Sequence, residues 1–314
     1  MANHSQQQNT NISLALFTPS ECIAWLTIFG IETIAIVALN VLEIIIYMKE
    51  RSLRNRSMYL MTNQAVADML VGVNVINSWW SFGSACEFWA FPPFSTAFIV
   101  ALGYFFPLAS LLNLAAISVD RTHATFRPFK HRLVKKKIFG VVIAVVWIIA
   151  GLFTTSNVLT FFTELLAFEK WRDILLSYFS FFLFCLLIIL ISYSSIAVKI
   201  LCGNQPHHHG VTNRERKLTK TLFIVTVASL LLTLPHVIFH IYLLVSLLEV
   251  RNISTETRFR LALSAEVLFF ANSFVNPVIY TFRMPEFKRA LFALVGCRSQ
   301  LQHAQVFPLN EICA

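Results

Sequence analysis

Residues 271–280 read ANSFVNPVIY, near the end of a run otherwise made of Leu, Val, Phe and Ala. Two asparagines, a serine, a proline and a tyrosine stand where hydrocarbon-facing side chains would be expected. Polarity of this kind inside a membrane span is expensive unless other parts of the chain satisfy it. The stretch therefore demands polar partners elsewhere in the sequence.

The rest of the chain sets the solvent. Of 314 residues, 57% are hydrophobic and 13% charged, about half the charge of an ordinary soluble domain. Seven windows reach the roughly 20 apolar residues a helix needs to cross hydrocarbon, at 23–48, 58–82, 94–119, 138–160, 174–200, 218–248 and 260–282. The odd number puts the termini on opposite sides. Connections are short, with no repeat, hinge or low-complexity linker, so one compact all-α bundle is expected. Its parts are an extracellular tail at 1–22, a seven-transmembrane-helix bundle at 23–282, a short amphipathic eighth helix at 283–297 and a cytoplasmic tail at 298–314.

Basic residues orient the bundle. With the N-terminus outside, twenty of the 25 Lys and Arg fall in cytoplasmic segments, and only Lys170, Arg172, Arg251, Arg258 and Arg260 fall outside. The net charge of +9 is thus a topology signal and not a sign of nucleic-acid binding. Sequons at Asn3, Asn11 and Asn252 land on the outer side, where N-glycans are added, while the one at Asn55 lands inside. The first 20 residues lack a basic n-region, and the apolar run after them is too long for a signal peptide. Among six cysteines only Cys22 and Cys86 reach the oxidising side, where they could pair, although Cys22 could equally face lipid. After the seventh span, MPEFKRALFALVGC (284–297) puts Phe287, Leu291, Leu294 and Val295 on one face and Lys288 and Arg289 off it. That is the pattern of a helix lying in the membrane surface, with Cys297 placed for palmitoylation. The PHHHG tract at 206–210 could bind a metal but reads more simply as solvated loop.

Ionisable residues inside the spans are few: Glu32, Glu43, Asp68 and Glu266. Asp68 lies deep in an apolar stretch and needs partners, which the opening decapeptide can supply. SVDRTHATFRPF (118–129) at the inner end of the third span, NSFVNPVIY in the seventh, Asn40 in the first, Asp68 in LMTNQAVAD and Trp147 in the fourth stand one per helix and in order. Together they resemble the helix signatures of rhodopsin-like G-protein-coupled receptors, over about residues 25–297.

The resemblance implies roles. Asp68, Ser110, Asn272, Ser273 and Asn276 match positions around an allosteric sodium ion; the other reading is interhelical hydrogen-bonding glue with no ion. Pro277 permits a bend beside that cluster. Asp120 and Arg121 form the inner pair, Glu215 matches the acid that locks the arginine, and Tyr193 and Tyr280 match the tyrosines that meet on activation. Phe129, after Pro128, is the plug offered to a heterotrimeric G protein.

The pattern also fails in places. LTLP (232–235) keeps Pro235 but replaces the usual cysteine and tryptophan with Leu232 and Thr233; Cys185 and Ser229 replace two more core positions, and Thr122 follows Arg121. Thr96 stands where a disulfide cysteine is usual. Loss of that disulfide and of the fifth-helix proline is similar to the melanocortin, adenosine, cannabinoid and lysolipid branch. For the ligand, Gly103 stands where amine receptors carry an aspartate, so Glu266 is the main acidic candidate, with His236, His240 and Tyr104 facing it. A cation could pair with Glu266, or the histidines could hold an anionic head group. Thirty phenylalanines leave a lipid open beside a nucleoside or other small molecule. Trp79, Trp80, Trp89 and Phe91 read as an interfacial belt. The expected function is a receptor that is not itself an enzyme; the alternatives are an ion- or proton-coupled transporter, a membrane hydrolase, or a decoy that binds without signalling.

Overall fold

The computed structural model describes residues 17–50, 58–90, 96–163, 168–202, 213–246 and 254–294. Seven long helices form the bundle: α1 (Pro19–Lys49), α2 (Met58–Ala85), α3 (Thr96–Phe126), α5 (Lys136–Thr163), α6 (Phe168–Cys202), α7 (Asn213–Ser246) and α8 (Thr255–Arg283). Two short helices join them, α4 (Pro128–Leu133) and α9 (Pro285–Leu294). Asn3, Asn11, Asn252, Cys297, the 206–210 tract and the 298–314 tail lie outside the described residues.

By length and composition, α1, α5 and α8, and the apolar parts of α3, α6 and α7, can cross a membrane. The second span, α2, is long enough but more polar, because it buries Asn63, Gln64, Asp68, Asn74 and Asn77. Those side chains face the bundle, so lipid never meets them. The outer surface is instead apolar: Ile34, Leu152 and Ile191 are each about two-thirds exposed. This inverts the soluble-protein arrangement and fits hydrocarbon as the solvent.

The helix ends depart from the hydropathy windows. The segment read as a tail to residue 22 is helical from Pro19, because Thr18 and Glu21 form a reciprocal capping box in which Glu21 N–H donates to Thr18 Oγ1 at 3.3 Å and Thr18 N–H to Glu21 Oε2 at 2.9 Å. α3 runs to Phe126, past its window to 119, and α6 starts at Phe168 instead of 174. Backbone bonding continues beyond the apolar slab, to which hydropathy alone responds.

α3 sits centrally, against α2, α5 and α6; α1 packs on α2 and α8, and α7 on α8. Prolines lie inside three helices, Pro107 in α3, Pro235 in α7 and Pro277 in α8, each removing one backbone donor. A disulfide joins Cys22 to Cys86 with Cα atoms 6.2 Å apart, stapling the outer end of α1 to α2. Beside it Trp79, Trp80 and Trp89 pack on one another, Trp79 and Trp89 with ring centroids 4.6 Å apart. Each indole N–H reaches a backbone carbonyl, so this is a packed cluster. At the inner end Phe287 of α9 is buried against Tyr47 and Tyr280.

Candidate functional site

Two buried polar regions lie one above the other. The deeper one centres on Asp68, which is fully buried. Ser110 Oγ of α3 donates to its Oδ1 at 2.7 Å, and Asn276 Nδ2 of α8 donates to its Oδ2 at 2.7 Å. Gln64, one turn away on α2, donates to both oxygens at 3.1 and 3.0 Å. The network continues outward from Gln64. Asn113 Nδ2 donates to Gln64 Oε1 and Asn63 Nδ2 donates to Asn113 Oδ1, both at 2.9 Å, and Trp147 Nε1 donates to Asn63 Oδ1 at 2.9 Å. Asn40 of α1 donates to the Ser273 carbonyl at 2.8 Å. One polar chain thus links α2, α3, α5 and α8, with α1 tied to α8 beside it.

Of the five residues matched to a sodium site, the structure brings Ser110 and Asn276 directly onto Asp68. Ser273, buried on the same turn of α8 as Asn276, also lies within hydrogen-bonding reach of Asp68. Asn272 makes no bond to Asp68 among the described residues. Gln64, Asn113 and Asn63 were not singled out from sequence, although two of them stand in the LMTNQAVAD stretch. The side-chain oxygens of Asn40, Asn272 and Asn276 are buried without a donor. A carboxylate with spare amide oxygens nearby is the donor set that a hard cation such as sodium takes, so the residues fit that ion.

The outer region is a cavity of about 540 Å³ whose lining includes Gly103, Tyr104, His236, His240 and Glu266. Ser78 Oγ donates to Glu266 Oε1 at 2.8 Å. His236 and His240 sit one turn apart with their rings tilted and centroids 4.2 Å apart, and His236 lies flat on Phe269 at 4.4 Å. Tyr104 packs on Tyr178 at 4.7 Å. Phe17, from the segment before α1, also lines the cavity and packs on Phe82 at 5.3 Å. Asn74, Asn77 and Ser78 also line it; their i, i+3, i+4 spacing on α2 was a readable signal that sequence reasoning passed over.

At the inner mouth Arg121 is buried and paired with Asp120, whose other oxygen lies 2.8 Å from His131 Nε2 of α4. Tyr193 and Tyr280 are both buried, with no hydrogen bond between them among the described residues. Phe129 is 71% exposed at the start of α4. Glu215 falls in α7, but its side chain lies outside the described residues.

The family profile described as "7 transmembrane receptor (rhodopsin family)" matches residues 39–280, which hold both polar regions and the inner pair. The chain belongs to the rhodopsin-like, class A, G-protein-coupled receptors. It is similar to the neuromedin-K receptor of Oryctolagus cuniculus, 25% identical over 87% of this chain and 62% of that protein. It is also similar to the QRFP-like peptide receptor of Branchiostoma floridae, 24% identical over 86% of this chain and 77% of that protein. Trace amine-associated receptor 8b of Mus musculus is 25% identical over 96% of this chain and 95% of that protein. The chain spans about three-fifths of the length of the neuromedin-K receptors it matches. These relatives lend no support to the melanocortin, adenosine, cannabinoid and lysolipid branch. As a family of receptors, they place this chain among membrane proteins that are not enzymes.

Proposed function

We propose that the chain is a multi-pass plasma-membrane receptor, N-terminus outside, that binds a small ligand in the outer cavity and activates a heterotrimeric G protein. The observation that carries this reading is the Asp68–Asn276 bond of 2.7 Å, one residue from Pro277. It ties α2 to α8 at the point where α8 has lost a backbone hydrogen bond. A helix that can bend next to a breakable polar bond has two packings of similar energy, which is what a switch requires.

Sodium would be held by Asp68, Ser110, Asn272, Ser273 and Asn276, and its charge would stabilise the closed arrangement. The protein's own groups do the rest. Asp68 holds α8 inward through Asn276, while Asp120 holds the Arg121 guanidinium at the inner mouth. Ligand contact at Glu266, on α8 ten residues above Asn276, shifts α8 against α2. Outward movement of α7 then separates Glu215 from Arg121 and opens a crevice, with Tyr193 and Tyr280 closing on one another behind it. Phe129 stands exposed beside that crevice and docks the G protein. Glycans on Asn3, Asn11 and Asn252 and a palmitate on Cys297 complete the topology, with α9 on the inner membrane surface. No observation favours a transporter, a hydrolase or a decoy.

The test is Arg121→Ala read with a panel of G-protein dissociation sensors. Agonist-driven or constitutive dissociation should vanish while surface expression persists. Unchanged coupling would overturn the assignment.

A further inference from the structure

The outer cavity contains polar atoms that the protein leaves unanswered, and their chemistry defines what should enter. Glu266 Oε1 is held by Ser78, but Oε2 meets no donor among the described residues. Asn77 is only 8% exposed, yet its Nδ2 has no acceptor. Both groups line the same cavity. A buried amide N–H without a partner is destabilising, but this one is shut inside the wall, so it is Glu266 that is left to meet a ligand.

The sign of the ligand charge follows from the rest of the wall. No Lys or Arg lines the cavity among the described residues. The histidines cannot supply a double positive charge, because two imidazolium rings 4.2 Å apart would repel strongly in a low-dielectric site. His240 Nδ1 is 2.9 Å from the His236 carbonyl, which can only accept, so that nitrogen spends its proton on the helix. Glu32 of α1, buried with neither oxygen partnered, lies within electrostatic reach of Glu266 and adds a second acid to this end of the bundle. Among the described lining residues an anionic head group therefore meets a carboxyl and no permanently charged cation.

We propose that the cavity takes a small organic monocation, a protonated amine or guanidinium on Glu266. Its apolar or aromatic body lies between Tyr104, Phe179 and Phe269. Aromatic walls suit such a ligand, since ring faces attract the cation that the carboxylate binds. This deepens the receptor reading above and rests on it only for signalling, since binding can be measured alone.

Purified full-chain protein is melted with 2-phenylethylamine, benzylguanidine, phenylalanine amide, 3-phenylpropionate and 2-phenylethanol. Phenylalanine amide presents its amine as a peptide N-terminus does, so it separates a free amine from a peptide source. At least one cation should raise Tm in a saturable way, with the carboxylate and alcohol inert. Glu266→Gln, which keeps the Ser78 bond and the shape, should weaken that cation about 30-fold. A shift from the carboxylate, an equal shift from the alcohol, no shift from any cation, or a cation shift untouched by Glu266→Gln would each overturn the proposal. The same probes applied to dissociation sensors keep the two ideas apart. A Glu266-dependent binder that drives no dissociation sinks the signalling reading and leaves the site intact. Dissociation driven by the carboxylate alone sinks the cation proposal and leaves the receptor.

Discussion

The Asp68 cluster and the Glu266 cavity are both buried, both polar and both built on α2 and α8, yet they differ in how many bonds their acid receives. Asp68 accepts from three side chains on three helices. Glu266 accepts from one, and its neighbour Asn77 has an amide with nothing to bond. Asp68 is tied to three helices although the amide oxygens of Asn40, Asn272 and Asn276 are buried without a donor, whereas Glu266 is held by a single bond at the cavity wall. On the proposed reading, the same residue types serve the switch in one place and recognition in the other.

The largest effect should come from Asp68→Ala. It strips the acceptor from Gln64, Ser110 and Asn276 at once and should destabilise the protein by about 3 kcal/mol, read as a fall in Tm. A fall of under about 1 kcal/mol, one ordinary hydrogen bond, would break the comparison. Asn113→Leu comes next, since Asn113 bonds Asn63, Gln64 and the Leu60 carbonyl; a loss of about 2 kcal/mol is expected. Asn77→Leu is the same substitution in the outer region and should have the opposite sign. Removing an unanswered donor should leave stability unchanged or raise it by up to about 1 kcal/mol. Equal losses for Asn113→Leu and Asn77→Leu in chemical or thermal unfolding would mean that the two regions do not differ.

The deep cluster was largely legible in the sequence. An acid within an apolar run had to be partnered, and the seventh span offered amides, so Asp68 and Asn276 could be joined without coordinates. Gln64 and Asn113 could not be ranked, because a polar residue on a helix reads the same whether it meets an acid or a neighbouring amide. The cavity was legible only at its charged and ring-bearing members. Glu266, His236 and His240 stood out by type, whereas Asn74, Asn77 and Ser78 carry no charge or ring to mark them. Pairing of Cys22 with Cys86 was left open, since only geometry distinguishes a lipid-facing thiol from one near a partner. His131 on Asp120 was invisible, because it depends on α4 folding eleven residues back onto the end of α3. The start of α1 was missed although Thr18 and Glu21 carry the capping spacing, because the windows were drawn on hydropathy alone.

The central claim is that the Asp68 cluster is a cation-responsive hinge between α2 and α8. It is tested most directly by melting the wild type and Asp68→Asn in sodium chloride and in choline chloride at equal ionic strength. The wild type should melt at a higher temperature in sodium, and Asp68→Asn at the same temperature in both salts. An equal sodium response in the two proteins, or none in the wild type, would contradict it.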